Sequence, residues 1–236
     1  MTIRLAAALA GAAMLAAGSA SAVRADTVIY NGGSPDQGGQ LYAEVPAVTA
    51  MSFTLAAGAN VLTDAHWWGG CYAVGGGTTC GSTDFAVGIY DDESGLPGTL
   101  LSVIQQMGGA NQTATGKLIG PIGGEQWAEY AYNISFSPII LTPGTKYWFA
   151  LTELDGQGDN GLWGLETTST APAGQAAASF GITSEDWTLY PPYENLAFNL
   201  TGSAPEASTW AMALAGFAGL GWLGYTRRRE GRATAA

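Results

Sequence analysis

Strict two-residue alternation of apolar side chains, repeated in segment after segment, is the feature that most narrows what this chain can become. Phe85, Val87 and Ile89 fall on one side of an extended segment, with Ala86, Gly88 and Tyr90 on the other. Tyr130, Tyr132, Ile134 and Phe136 oppose Ala131, Asn133 and Ser135. Tyr147, Phe149 and Leu151 oppose Trp148, Ala150 and Thr152, and Leu196, Phe198 and Leu200 oppose Ala197, Asn199 and Thr201. Successive side chains of a strand point to opposite faces, so this period marks strands with one face toward a core. Thr27–Tyr30, Val48–Leu55, Val61–Trp68, Leu100–Gln106, Leu162–Thr167 and Ala178–Ile182 read as further strands.

Turn signals separate these segments. Leu96-Pro97-Gly98-Thr99 and Thr142-Pro143-Gly144-Thr145 each place proline before glycine, as a type II turn requires. No long amphipathic helical pattern precedes Trp210. About ten short strands that must each bury one face predict an all-β fold, an antiparallel β-sandwich of jelly-roll type. An immunoglobulin-like sandwich is the second reading, but Cys71 and Cys80 are too close in sequence to bridge two sheets in its manner.

The two ends have a different character. Met1 to Arg4 supplies one positive charge, Leu5 to Ala17 is apolar, and Gly18 to Ala22 is small and ends in an Ala-x-Ala site. These are the three regions of a secretory signal peptide, assigned to residues 1–22. At the other end, Ala204-Pro205-Glu206-Ala207-Ser208-Thr209 precedes an apolar run from Trp210 to Tyr225, and Arg227, Arg228 and Arg229 follow. The run carries no charge and no proline; sixteen helical residues span roughly 24 Å against a hydrocarbon core of about 30 Å. The arginines predict a cytoplasmic end, which places everything before the helix outside.

This tail, residues 204–230, resembles the PEP-CTERM sorting signal of exported proteins in Gram-negative bacteria. The matching parts are the motif Pro205, Glu206 and Ala207, the membrane helix 210–225 and the basic stop; Ala207 stands where the family carries proline. The resemblance implies recognition by an exosortase in the inner membrane. It also implies export to the cell surface or beyond, in a setting of exopolysaccharide and biofilm formation. The blocks around Asp91–Leu100 and Leu141–Phe149 loosely resemble β-sandwich domains of such proteins.

Between the ends, residues 26–203 have the size of one domain. Lys117 and Lys146 are its only bases against seventeen acids, a field that repels nucleic acid. Cys71 and Cys80, the only cysteines, predict a disulfide in an oxidising compartment. Zinc is the rival, but His66 and two thiols fall short of four ligands.

Three kinds of chemistry remain. No catalytic residues are assigned: the chain has one histidine, no nucleophile elbow and no zinc-protease motif. A carboxylate pair acting on a glycosidic bond is the enzymatic alternative. No cofactor is assigned either, apart from calcium. Asp155 and Asp159 offer oxygens in a Gly-rich loop and Glu166 follows at the twelfth position, although Asn160 replaces the glycine of an EF-hand. Asp91-Asp92-Glu93 is a second acidic loop, and solvated turns are the bland reading of both.

Aromatic residues suggest glycan contact, because sugar rings present apolar faces to exposed rings. The candidates are Trp67, Trp68, Trp187, Tyr190 and Tyr193. Trp67 and Trp68 must face opposite ways on a strand, so one belongs to the core. Asn111, Asn133 and Asn199 stand in Asn-x-Ser/Thr sequons, which carry little meaning in a bacterium. The expectation is thus a non-catalytic exported protein, an adhesive, structural or polysaccharide-contacting module. A secreted polysaccharide hydrolase is the alternative.

Overall fold

The computed structural model describes residues 27–73, 83–106, 109–122, 125–154, 161–170, 174–180, 186–190, 195–203 and 217. The signal peptide, Cys80, Asp155, Asp159, Tyr193, the Pro205–Ala207 motif and the arginine stop lie outside them. Of the expected tail helix only Phe217 is described, with helical backbone and an exposed ring. Among the described residues no helix is long and apolar enough to cross a membrane.

Thirteen strands follow in order: β1 (Thr27–Asn31), β2 (Gln40–Tyr42), β3 (Ala47–Thr54), β4 (Val61–Ala73), β5 (Phe85–Glu93), β6 (Leu96–Gln106), β7 (Asn111–Ile122), β8 (Glu125–Ile140), β9 (Lys146–Glu153), β10 (Gly161–Glu166), β11 (Ala176–Phe180), β12 (Thr188–Leu189) and β13 (Phe198–Ser203). They form two sheets in which every paired neighbour is antiparallel. The six-stranded sheet runs β12-β11-β3-β9-β5-β6. The seven-stranded sheet is organised by the long strand β4. One edge of β4 pairs with β8, which pairs with β7. Its other edge is shared: Val61–Trp67 pairs with β13, which carries β1, and Gly69–Ala73 pairs with β10, which carries β2.

The alternation sets the inner face. Phe85, Val87 and Ile89, Tyr147, Phe149 and Leu151, Tyr132 and Ile134, and Leu196, Phe198 and Leu200 all enter one buried cluster, with Tyr130 and Phe136 packed at its rim. Rings from opposite sheets meet there. Phe149 and Phe198 stack with centroids 5.0 Å apart, and Phe85 meets Trp163, Tyr132 and Trp67 edge-on at 4.9, 5.0 and 5.2 Å. Each such pair adds about 0.5–1.5 kcal/mol beyond the area it buries.

The outer face of the six-stranded sheet is also covered. Gly88, Ala150, Ala50 and Ala177 stand opposite one another across four strands and form a low floor. Trp148 and Val48 join the alanines in a second apolar cluster, against which Tyr90 and Trp187 pack. Burial on both faces explains why β3 and β9 are almost wholly buried despite their alternating pattern.

Two local expectations are resolved differently. Pro143-Gly144 turns as its sequence suggests, with Gly144 at φ 75° and Thr145 N–H donating to Thr142. Pro97-Gly98 lies inside β6; the reversal is Ser94-Gly95, with φ of 57° and 90°. Positive φ at both central residues gives the turn whose twist matches a hairpin, and glycine takes the second position freely. Asp92 Oδ2 accepts the Gly95 N–H at 3.2 Å. Strands β2 and β7 lie in segments with little apolar alternation, so pairing rather than pattern defines them.

Trp67 is fully buried against Phe85, Tyr132 and Phe149. Trp67→Ala should therefore destabilise the domain by about 3–5 kcal/mol, through lost burial and the cavity left behind. Urea unfolding followed by the far-ultraviolet strand signal measures this; a loss below about 1 kcal/mol would contradict the core described.

Candidate functional site

Because Ala65 and Trp67, Tyr132 and Ile134, and Phe198 and Leu200 point inward, the residues between them point out. His66, Asn133 and Asn199 therefore share the outer face of the seven-stranded sheet. The register places them in a single row: Asn111 opposite Asn133, Asn133 opposite His66, His66 opposite Asn199, and Asn199 opposite Asn31. Five strands thus carry four amides and the chain's one histidine in a line. At the usual strand spacing the row is roughly 19 Å long. Asn111 Nδ2 donates to Asn133 Oδ1 at 2.9 Å, and Asn31 Oδ1 accepts the Gly33 N–H at 2.9 Å. Asn199 Oδ1 has no hydrogen-bond partner although the atom is buried. All three sequon asparagines belong to this row.

The neighbouring rows frame it. On one side Ser135 Oγ donates to Asp64 Oδ1 at 2.6 Å, with Thr201 opposite Asp64. On the other, Trp68 stands half-buried opposite Ala131, which faces Thr113. The face thus offers amide donors and acceptors, a hydroxyl, a carboxylate and one indole.

The predicted aromatic contacts do not gather. Trp67 is in the core and cannot meet a ligand, a correction that follows from the inward turn of every second residue of β4. Trp68 belongs to the face just described. Trp187 lies on the opposite side of the sandwich, edge-on to Tyr90 at 5.5 Å, and Tyr190 is exposed just beyond β12. Cys71 lies on β4 opposite Trp163, and no free cysteine occurs among the described residues.

Glu166 is not an exposed loop ligand. It ends β10, about 16 Å of strand beyond Gly161, and is fully buried. Its Oε1 accepts the Gln37 N–H at 2.8 Å, while Gln37 Nε2 donates to Glu129 Oε2 at 3.0 Å. The two carboxyls lie side by side, and Glu129 is 1% exposed. Burial first, and the Glu129 charge second, push the Glu166 carboxyl up to about 8. Gln37 takes φ of 59° to reach both acids, a conformation uncommon outside glycine.

This pair escaped sequence reasoning because Glu129 and Glu166 lie far apart in the chain and on polar positions of their strands. Glu44 is another buried acid: its Oε2 accepts the Trp163 N–H at 2.7 Å, and burial raises its carboxyl. On the six-stranded sheet, burial pushes Asp92 up, but hydrogen bonds from Trp148 Nε1 and Lys146 prevail and hold its carboxyl below the usual range. Lys146 also lies 4.9 Å over the Trp148 ring and lines an open groove of about 520 Å³ with Tyr30, Ser52, Phe53 and Gln175. Among the described residues no three His, Cys, Asp or Glu side chains gather as a metal cluster.

The raised Glu166 carboxyl has a definite pH signature. The folded protein keeps its proton between about pH 4.5 and 8, where the unfolded chain has lost it. Its contribution to stability is thus full below about 4.5 and is lost as pH rises through about 8. In metal-free buffer, the thermal midpoint of Glu166→Gln should exceed that of the wild type by several degrees more at pH 8 than at pH 5. Equal differences at both pH values would refute the shift.

No family model, curated protein or solved structure matches this chain.

Proposed function

We propose that this chain is an exported, non-catalytic module of the cell surface or extracellular matrix that contacts polysaccharide through the outer face of its seven-stranded sheet. The observation that carries this reading is the Asn31–Asn199–His66–Asn133–Asn111 row beside Trp68. Amides and imidazole exchange hydrogen bonds with hydroxyls in both directions, and an indole plane suits the apolar face of a sugar ring. The spacing is set by the sheet, so the groups are held in place before a ligand arrives, which lowers the ordering cost of binding. A neutral polymer fits best, since the domain's acidity would repel an anionic one.

Delivery rests on the ends of the chain. The signal peptide of residues 1–22 and the PEP-CTERM-like tail of residues 204–230 support export through the inner membrane of a Gram-negative bacterium and handling by an exosortase. The membrane association through residues 210–225 is then at least transient. The Cys71–Cys80 disulfide is part of the same reading, since the exported domain reaches an oxidising compartment. The fold, we further propose, is jelly-roll-like: the chain repeatedly leaves one sheet for the other, as from β3 to β4 to β5 and from β8 to β9 to β10. The enzymatic alternative finds little support in Glu129 and Glu166. They touch each other and are buried, whereas a glycosidase pair stands about 5–10 Å apart across the substrate.

Two experiments test the reading. In native gels containing a neutral polysaccharide, Trp68→Ala and His66→Ala should each weaken retardation about tenfold, equivalent to about 1.4 kcal/mol. Tyr190→Ala, on the other side of the molecule, should leave it unchanged, and unaltered retardation of the first two variants would sink the platform. Deleting Pro205–Arg229 should abolish normal processing and surface delivery in the native host; wild-type fractionation of the deletion would remove the sorting reading.

A further inference from the structure

Beneath and beside the polar row lies a second arrangement that polysaccharide contact leaves unused. Gly70 and Gly164 stand opposite each other on β4 and β10 and make a low floor on the outer face, with Ile119 packed over Gly70, its Cδ1 3.0 Å from where a Cβ would stand. Three side chains border that floor. Gln40, opposite Glu166 on β2, lies across Gly164: a Cβ built on that glycine would meet Gln40 Cδ, Cγ and Cβ at 2.7, 2.8 and 3.0 Å. Glu166 follows Gly164 by two residues on the same face. Glu129 is one residue beyond the Gly69–Tyr130 pairing, and so flanks Gly70. The loop of residues 32–39 closes over this set. Gln37 clamps both carboxylates, its carbonyl accepts the Gly120 N–H at 2.9 Å, and Asp36 Oδ1 accepts from Thr167 Oγ1 at 3.1 Å.

Three oxygens in this enclosure have no donor: Glu129 Oε1, Glu166 Oε2 and Gln40 Oε1 are each buried and unpartnered. Two carboxylates at 0% and 1% exposure meet no basic side chain; the ion pair among the described residues, Lys146–Asp92, belongs to the other sheet. Adjacent buried like charges are unstable without a compensating positive charge. The unpartnered atoms are all oxygen, with no nitrogen or sulfur donor among them, which is the ligand chemistry of a hard cation.

We propose that Glu129, Glu166 and Gln40 bind a calcium ion, with the Gln37 loop as its cover. The two carboxylates supply charge and one free oxygen each, the amide oxygen supplies a third, and the flexible coordination of calcium accepts such an irregular set more readily than magnesium does. The ion ties β2, β10 and β8 to the loop. It therefore stabilises the edge of the face that bears Trp68, the β4 neighbour of this set.

The test uses the full chain in a mild non-ionic detergent, stripped with EDTA and titrated with calcium chloride at pH 8. At a hundredfold excess over its Kd, calcium should raise the thermal midpoint by roughly 5–10 °C, and magnesium by less. Glu129→Gln and Glu166→Gln, close in shape to the originals, should each weaken calcium affinity at least tenfold by calorimetry while keeping the far-ultraviolet strand spectrum. A wild-type protein indifferent to calcium would overturn the proposal and leave a shared proton between the two acids. An undiminished response in both variants would also overturn it, by placing the ion elsewhere.

Discussion

The interlocking of aromatic rings between the two sheets is the constraint on which the rest of the molecule depends. Phe149 on Phe198, and Phe85 among Trp67, Tyr132 and Trp163, join strands that share no backbone hydrogen bonds. Backbone pairing holds each sheet together but does nothing to seat one sheet on the other. The rings do that, and in doing so they fix which edge of each strand faces out. A one-residue slip of β4 would bring Trp68 and His66 inward and expel Trp67, so burial of the large indole locks the register. The outer row of amides is a consequence of that lock.

The same strand explains the division of the outer face. β4 is long enough to pair with β13 along its first half and with β10 along its second. The first half presents the amide row; the second, with Gly70 facing Gly164, presents the floor bordered by Glu129, Glu166 and Gln40. Trp68 lies where the two halves meet. A polar recognition surface and an enclosed acidic set are therefore adjacent because one strand serves two partners, and a change at Gln37 or Glu166 would be felt close to the indole.

The opposite side of the sandwich shows how different an outer face can be. There Gly88, Ala150, Ala50 and Ala177 make a floor that is covered by Trp148, Tyr90 and Trp187, with Lys146 held by Asp92 at its margin. Some of the aromatic residues thus enter the core, some form this cover, and Trp68 stands half-buried on the amide-bearing face. Composition alone treats these tryptophans as equivalent, whereas their strand parity separates them.

What the sequence determined by itself was the direction of each side chain relative to its own strand. Alternation at Phe85–Ile89, Tyr130–Phe136, Tyr147–Leu151 and Leu196–Leu200 is a local property, and it told inward from outward residues and required one of Trp67 and Trp68 to be in the core. It misplaced the reversal at Ser94-Gly95, because Pro97-Gly98 carries the stronger turn signal while a hairpin needs two positive φ angles. It gave no hint of β2 or β7, whose positions come from partners rather than pattern. The tertiary structure alone decided which outward residues became neighbours. Asn31, His66, Asn111, Asn133 and Asn199 form a row, and Gln40, Glu129 and Glu166 an enclosure, because pairing brings together strands up to well over a hundred residues apart in sequence. No local periodicity encodes that register; it is selected by the fit of the aromatic core on the other side of the same strands.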